Sequence, residues 1–333
     1  MNADTLSSTI QSTSPFTMDC GTRVPVGRPD MLGFDIRFEH VQRVGTGGMC
    51  DVFRSFDRTR DCWVALKRLR SDRAKRCGDP EQFLTEANVM RDVASKCVPR
   101  LHDIFPQRLF EPYFSMQWIE GFDLSRVLSG LHRLPESLDD NFPLHRLVNI
   151  VLRILDALAH SHRRGWLHLD IKPENIMLED SRTWLIDWGC ATRMAAETSA
   201  ECKSAAISGD RCQPNLLPDE RRSVFGTPLY MSPEQLKDRC SVDQRSDLFA
   251  LGAVLYDCVA LTTLIRGKTV DEVVQYTLSG RFVEPSEVGI RKSIPSQLED
   301  VVMKAVAVDP QDRFQSADAF ANALKLACPE AVD

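Results

Sequence analysis

From Phe38 onward, apolar and polar residues alternate with the period of a half-buried strand, and the alternation breaks at glycine-rich or polar turns. This pattern predicts strands over residues 38–44, 52–56, 63–69, 101–105 and 113–119. Between the third and fourth the period changes: Phe83, Ala87, Met90 and Ala94 recur at helical spacing. A start signal precedes that stripe, with Asp79 at the cap, Pro80 at the first helical position and Gln82 completing a capping box. After Gly121 the pattern is mainly helical. Residues 143–162 place Leu144, Leu147, Val148, Val151, Ile154, Leu155 and Leu158 on one face, which predicts a core-facing helix. Further helices are predicted near 246–261, 270–278, 296–308 and 316–327, and a short apolar strand over 184–186. Residues 1 to about 34 are rich in Ser, Thr, Pro and Gly and show neither period, so they read as a flexible polar tail. The expected fold class is α+β: a small five-stranded β lobe with one helix, a larger mostly α-helical lobe, and a cleft between them as the default binding site.

Composition narrows this picture in only a few respects. A hydrophobic fraction of 43% over 333 residues is enough for a substantial core. A net charge of -6 gives no broad attraction to nucleic acid or anionic lipid. No window reaches the length of an apolar membrane span, and the amino terminus lacks the pattern of a secretory signal, so a cytoplasmic location is expected. The 11 cysteines are scattered without a CxxC pair or zinc-type spacing, which fits reduced thiols. Cys202 and Cys212 share one predicted loop and are the only pair weighed as a regulatory disulfide. The oligomeric state is left open.

Three stretches carry candidate chemistry. The first is GTGGMCDV, Gly45 to Val52, between two predicted strands. Alone it could be a structural turn, but glycines without Cβ atoms also let a backbone approach nucleotide phosphates. The second is VALK, which places Lys67 on the third strand, with Glu86 on the inward face of the following helix as an opposite charge. The third and most specific is HLDIKPEN, His168 to Asn175, directly after the long amphipathic helix. There Asp170 is suited to accept a proton from a substrate hydroxyl, Lys172 to balance charge on a transferred phosphoryl group, and Asn175 to hold a magnesium ion. Asp187, in DWG after an apolar strand, supplies a second magnesium ligand.

With these motifs in place, residues 36–328 resemble a Hanks-type protein kinase, and GGM together with DIKPENIML is most similar to the bacterial serine/threonine members. The resemblance implies a bilobal fold with residues 36–119 as the amino-terminal lobe and 120–328 as the carboxy-terminal lobe. It implies ATP and Mg2+ as cofactors, with Mn2+ as a substitute, and proteins with Ser/Thr acceptors as substrates, with autophosphorylation. Gly45, Thr46, Gly47, Gly48 and Val52 would cover the nucleotide, and Lys67 paired with Glu86 would hold its phosphates. Ala65 and Met177 would border the adenine, Met116 would be the gatekeeper, Gln117 and Ile119 would offer backbone groups to the base, and Asp123 would sit near the ribose. Ser232 to Glu234 resembles the APE element, with Arg313 as its expected buried partner, and Asp247 matches the helix aspartate that anchors the catalytic loop. Lys172, and Gly226 with Thr227, resemble the serine/threonine branch, where Thr227 would bond to Asp170 and Lys172.

The chain departs from the family pattern at several places. Cys50 replaces the third glycine of the phosphate loop, which suggests reduced loop mobility or an oxidisable thiol, with simple packing as the leading reading. Leu169 replaces the arginine whose charge an activation-segment phosphate usually neutralises, so activity is expected not to depend strictly on such a phosphate. Trp188 replaces a phenylalanine and should be tolerated at the same packing position. The activation segment, residues 187–234, holds an apparent insertion of small and polar residues at about 195–215. Thr198, Ser199, Ser204 and Ser208 within it, and Ser223 after it, are candidate phosphorylation sites. Two rivals remain at this point: a pseudokinase acting as a signalling scaffold, favoured only by Cys50 and Leu169, and a small-molecule phosphotransferase of related fold.

Overall fold

The computed structural model describes residues 36–332 except 48, 71–79, 107–110, 134–141, 195–227, 238–240, 289 and 292, and residues 80–82 as backbone only. The polar tail, Gly48, Asp79 and the side chains of Pro80 and Gln82 in the helix start signal, the insertion with its serines and threonines, Cys202, Cys212, Ser223, Gly226 and Thr227 lie outside this described set. The described chain forms two compact units, one comprising residues up to Arg91 together with Pro99–Glu120 and the other Asp92–Val98 together with residues from Gly121 onward.

The first unit is built on an antiparallel sheet of β1 (Phe38–Thr46), β2 (Cys50–Asp57), β3 (Cys62–Leu69), β4 (Leu101–Phe105) and β5 (Tyr113–Gln117), in the order β1-β2-β3-β5-β4. Its apolar positions recur every second residue, so Phe53 on β2, Val64 and Leu66 on β3 and Tyr113 on β5 join Phe38 in one core cluster. Within it Phe105 stacks on Tyr113 at 4.4 Å and Phe38 meets Phe105 edge-on at 5.8 Å. The strand expected over 113–119 pairs only as far as Gln117, and residues 118–120 leave the sheet. Helix α1 (Pro80–Val93) buries Phe83, Ala87, Val89, Met90 and Val93, and Phe83 packs on Phe114 at 5.2 Å. Ala94, expected in that stripe, is exposed: the helix ends one residue earlier and Ala94 turns out with φ 40°, so Val93 takes the buried position.

The second unit is mainly helical. Helix α2 (Leu124–Arg133) leads to α3 (Leu144–Arg163), and α4 (Pro233–Lys237) precedes α5 (Gln244–Ala260), which is buried at every position from Ser246 to Ala260. A helix buried all round must be central, and α3 and α8 (Ser296–Ala305) pack against it. Gly252 makes the second approach possible, because a Cβ there would meet that of Ala305 at 2.7 Å. Helices α6 (Val270–Ser279), α7 (Pro285–Val288) and α9 (Ala317–Ala327) complete this unit, with α9 against α3. The helix expected to reach residue 308 stops at Ala305. Small strands also appear: β6 (Phe122–Asp123), β8 (Ile176–Glu179) and β9 (Arg182–Leu185) form one sheet, and β7 (Trp166–Leu167) pairs with β10 (Thr192–Arg193).

Candidate active site

In the first unit, the hairpin between β1 and β2 pairs Gly45 with Val52 and Thr46 with Asp51, and the Gly47 N–H donates to the Cys50 carbonyl at 2.8 Å. Cys50 is buried within this hairpin, which is the packing reading. The register of the sheet then sets Val52 opposite Lys67, and Ala65 opposite Met116. Lys67 is buried, where an ammonium needs a partner, and its Nζ donates to Glu86 Oε1 of α1 at 2.7 Å. The Gln117 N–H bonds inside the unit, to the Arg100 carbonyl at 2.8 Å. Ile119 is buried just past the end of β5.

In the second unit, α3 delivers the chain through a glycine turn at Gly165, whose φ of 73° suits a residue without a Cβ, into the loop that holds His168 to Asn175. Asp170 gathers the loop's polar groups. Lys172 Nζ donates to both of its carboxylate oxygens at 2.8 and 3.0 Å, and Asn175 Nδ2 donates to Oδ2 at 3.0 Å and to the Asp170 carbonyl at 2.7 Å. Burial pulls the Lys172 ammonium down, but Asp170 outweighs it and leaves the pKa raised, so Lys172 carries its charge at neutral pH. The carbonyl of Asn175 accepts from the Ile186 N–H at 2.9 Å, which joins the start of β8 to the residue preceding Asp187.

Leu169 and Asp187 both adopt positive φ, 62° and 61°. Side chains other than glycine avoid this region at a cost of about 1–3 kcal/mol, so the surroundings must hold them there. Asp247, fully buried in α5, accepts from the Leu169 N–H at 2.8 Å, the His168 N–H at 3.0 Å and His162 Nε2 at 2.9 Å. Burial pushes its carboxyl upward, yet the His162 hydrogen bond and the His168 N–H hold it below the usual range. From the other side Gln235 Nε2 donates to the Leu169 carbonyl at 3.0 Å. Burial likewise lowers the His168 pKa despite the nearby carboxylates. Neutral His168 accepts from the Asp170 N–H through Nδ1 at 3.3 Å, so Nε2 bears the proton and donates to the Ile186 carbonyl at 3.2 Å. Trp188 is buried edge-on against His168 at 4.5 Å and donates to the Leu185 carbonyl, so the larger ring is accommodated.

Glu234 accepts a bidentate pair from Arg313 at 2.7 and 2.9 Å and a third bond from Ser246 at 2.6 Å, all buried. Asp123 is buried and caps α2, accepting from the Ser125 hydroxyl and from the Arg126 N–H at 3.1 Å. Met177 on β8 lies opposite Asp123 and Trp184. Two contributors escaped the sequence reading: Gln235, which braces Leu169, and His162, which shares Asp247. The HxxxxxH spacing from His162 to His168 at the end of an amphipathic helix was the available signal for the second.

The donor set suits magnesium. The hydrogen bonds of Asn175 Nδ2 fix its amide so that the hard oxygen Oδ1 is the remaining acceptor, and Asp187 adds a carboxylate. Magnesium takes one or two protein oxygens and completes its shell with phosphate and water, so the two residues suffice.

A family model described as the protein kinase domain matches residues 38–324. The serine/threonine-protein kinase PknD of Chlamydia pneumoniae is 32% identical over 286 residues, covering 84% of this chain and 30% of the relative. Its counterpart in Chlamydia trachomatis serovar D is 31% identical over 301 residues, covering 87% and 31%, and that of Chlamydia caviae is 30% identical over 290 residues, covering 85% and 30%. The chain spans less than a third of the length of these curated relatives. The matched residues and the α+β organisation establish that the chain belongs to the protein kinase family.

Proposed function

We propose that this chain is an ATP- and Mg2+-dependent protein kinase that transfers the γ-phosphoryl group of ATP to Ser and Thr hydroxyls of protein substrates, and that residues 36–328 form its kinase domain. The observation that carries the reading is the ordered set of Asp170, Lys172 and Asn175, held by Asp247 beneath the loop and joined by the Asn175 carbonyl to the segment leading into Asp187. Bound MgATP supplies the phosphoryl group and the cation that offsets its charge. Lys67, paired with and oriented by Glu86, engages the nucleotide phosphates, and the hairpin from Gly45 to Val52 brings backbone N–H groups to them. Ala65, Met116, Gln117, Ile119 and Met177 are the base-side residues of the same reading. Asn175 and Asp187 hold the metal. Asp170 orients the acceptor hydroxyl and takes its proton, while Lys172 balances the charge that develops on the transferred group. Asp123 is the ribose-side residue of the same reading, and its capping bonds both fall on Oδ1.

The test is phosphate transfer from labelled ATP to a generic Ser/Thr substrate and to the chain itself, with Asp170→Asn and Asp187→Asn as controls. Transfer that disappears in both variants supports the assignment. Undiminished turnover in Asp187→Asn would break it. Mapping the modified residues then decides whether residues 195–223 are autophosphorylated.

A further inference from the structure

Just past the DWG element, Arg193 of β10 makes four contacts at once. Its guanidinium lies over the Trp166 ring at 4.2 Å, its Nη1 donates to the Arg164 carbonyl at 3.0 Å, and its Nη2 stands 3.5 Å from Asp92. Its backbone pairs with Trp166 in the β10/β7 ribbon, where the next residue, Met194, donates to the Gly165 carbonyl at 2.9 Å. Trp166 Nε1 also donates to Asp92, at 3.3 Å, so the carboxylate binds both halves of the stack. Asp92 lies in the last turn of α1, a position grouped with the second unit. An acidic residue there faces the negative end of the helix dipole, which is unfavourable unless a cation compensates it. The Asp92–Arg193 pair is half-exposed and contributes little alone; the weight comes from the aromatic stack, the carbonyl and the ribbon acting on one side chain.

Asp187 and Arg193 bracket a short stretch whose first residue is held in the left-handed region and whose second, Trp188, is fully buried. The position where the family's arginine would offer a charge to an activation-segment phosphate is Leu169, and its backbone is instead secured by Asp247 and Gln235. We propose that Arg193 is a positioning residue: its stack on Trp166, its bond to the Arg164 carbonyl and the β10/β7 ribbon hold residues 187–193 in their working geometry without an activation-segment phosphate, and the exposed Asp92 pair is a minor contributor. This rests on the kinase reading above.

The full chain is treated with phosphatase until mass spectrometry finds no phosphate, and wild type, Asp92→Asn, Arg193→Ala and Arg193→Lys are compared. Transfer to a Ser/Thr peptide is measured, and amide exchange of residues 192–194 is followed without nucleotide. Unphosphorylated wild type is expected to be active. Arg193→Ala should lose about five- to tenfold in kcat with the peptide KM unchanged, and its exchange should accelerate about tenfold, whereas Asp92→Asn should lose less than about twofold. Arg193→Lys, which keeps charge and ring contact, should retain at least about half of the activity. Wild-type kcat or unchanged exchange in Arg193→Ala would overturn the proposal. So would a wild type active only after phosphorylation, which leaves the kinase reading intact, whereas a wild type silent in both states overturns the kinase reading and this proposal with it.

Discussion

The Glu234–Arg313 pair offers the sharpest stability prediction. Arg313 is buried, and besides the bidentate pair with Glu234 it donates to the carbonyls of Ala307, Val308 and Arg245. It therefore ties α4 and the start of α5 to the turn after α8. Replacing Glu234 with Gln keeps the volume and one acceptor but leaves a buried guanidinium without its counter-charge, a defect worth about 3–5 kcal/mol. Replacing Arg313 with Met removes the charge and strands the carboxylate together with three carbonyls, at a similar cost. Because each single variant includes the penalty of an orphaned charge, the double variant should be less destabilised than the sum of the two, by at least about 2 kcal/mol. Urea unfolding followed by far-ultraviolet circular dichroism measures all four proteins. A Glu234→Gln loss under about 1 kcal/mol, or strict additivity, would refute the reasoning. The pH dependence has a defined sign. Burial pushes the Glu234 carboxyl up, but Arg313 and Ser246 hold it below its ordinary value. Its contribution is thus present above the unfolded carboxylate range and is lost as pH falls through the lowered folded value, and Glu234→Gln should flatten that acid limb.

Other outcomes follow from the same geometry. Asp257 is buried in α5 and its pKa is pushed up to about 8 by desolvation, against hydrogen bonds from Tyr230 and the Leu264 N–H. A raised carboxyl stabilises the fold at low pH and loses that contribution as pH rises towards 8, so Asp257→Asn should gain stability relative to wild type between pH 5 and 8, by up to about 1.4 kcal/mol per pH unit in urea titrations; parallel curves would count against it. Asp247→Asn exchanges a three-fold acceptor for an amide and should lower kcat by about 10- to 100-fold, since the Leu169 turn loses a charge-assisted bond, and steady-state assays at fixed MgATP check this. Lys67→Met should abolish phosphate transfer, and because it leaves Glu86 buried without its cation it should also lower the melting temperature; unchanged melting would mean that the pair is not closed in solution.

Local periodicity carried much of the fold. The five strands of the first unit and the helices of the second were legible because each buries one face, so apolar residues recur with the period of the element itself. Helix α2 was equally readable, with Leu124, Val127, Leu128 and Leu131 at helical spacing, and was passed over. The ribbons β6/β8 and β7/β10 were not legible, because two-residue strands contain no period and owe their existence to a distant partner.

For the candidate site, spacing within one loop determined which residues stand together: Asp170, Lys172 and Asn175 are so close in the chain that almost any folded form of that loop gathers them. The pairing of Lys67 with Glu86 was read from the residues, as an opposite charge on the inward face of the following helix, whereas that of Glu234 with Arg313 was expected from the family resemblance. What only the tertiary structure decided is what holds these groups in place. The backbone of Leu169 is fixed by a carboxylate in α5 and an amide in α4, and Asp123 turned out to be engaged as a helix cap. Arg193 found Asp92 and Trp166 across three separate elements. Such contacts join residues far apart in the chain, and their energy depends on burial and direction, neither of which a one-dimensional pattern contains.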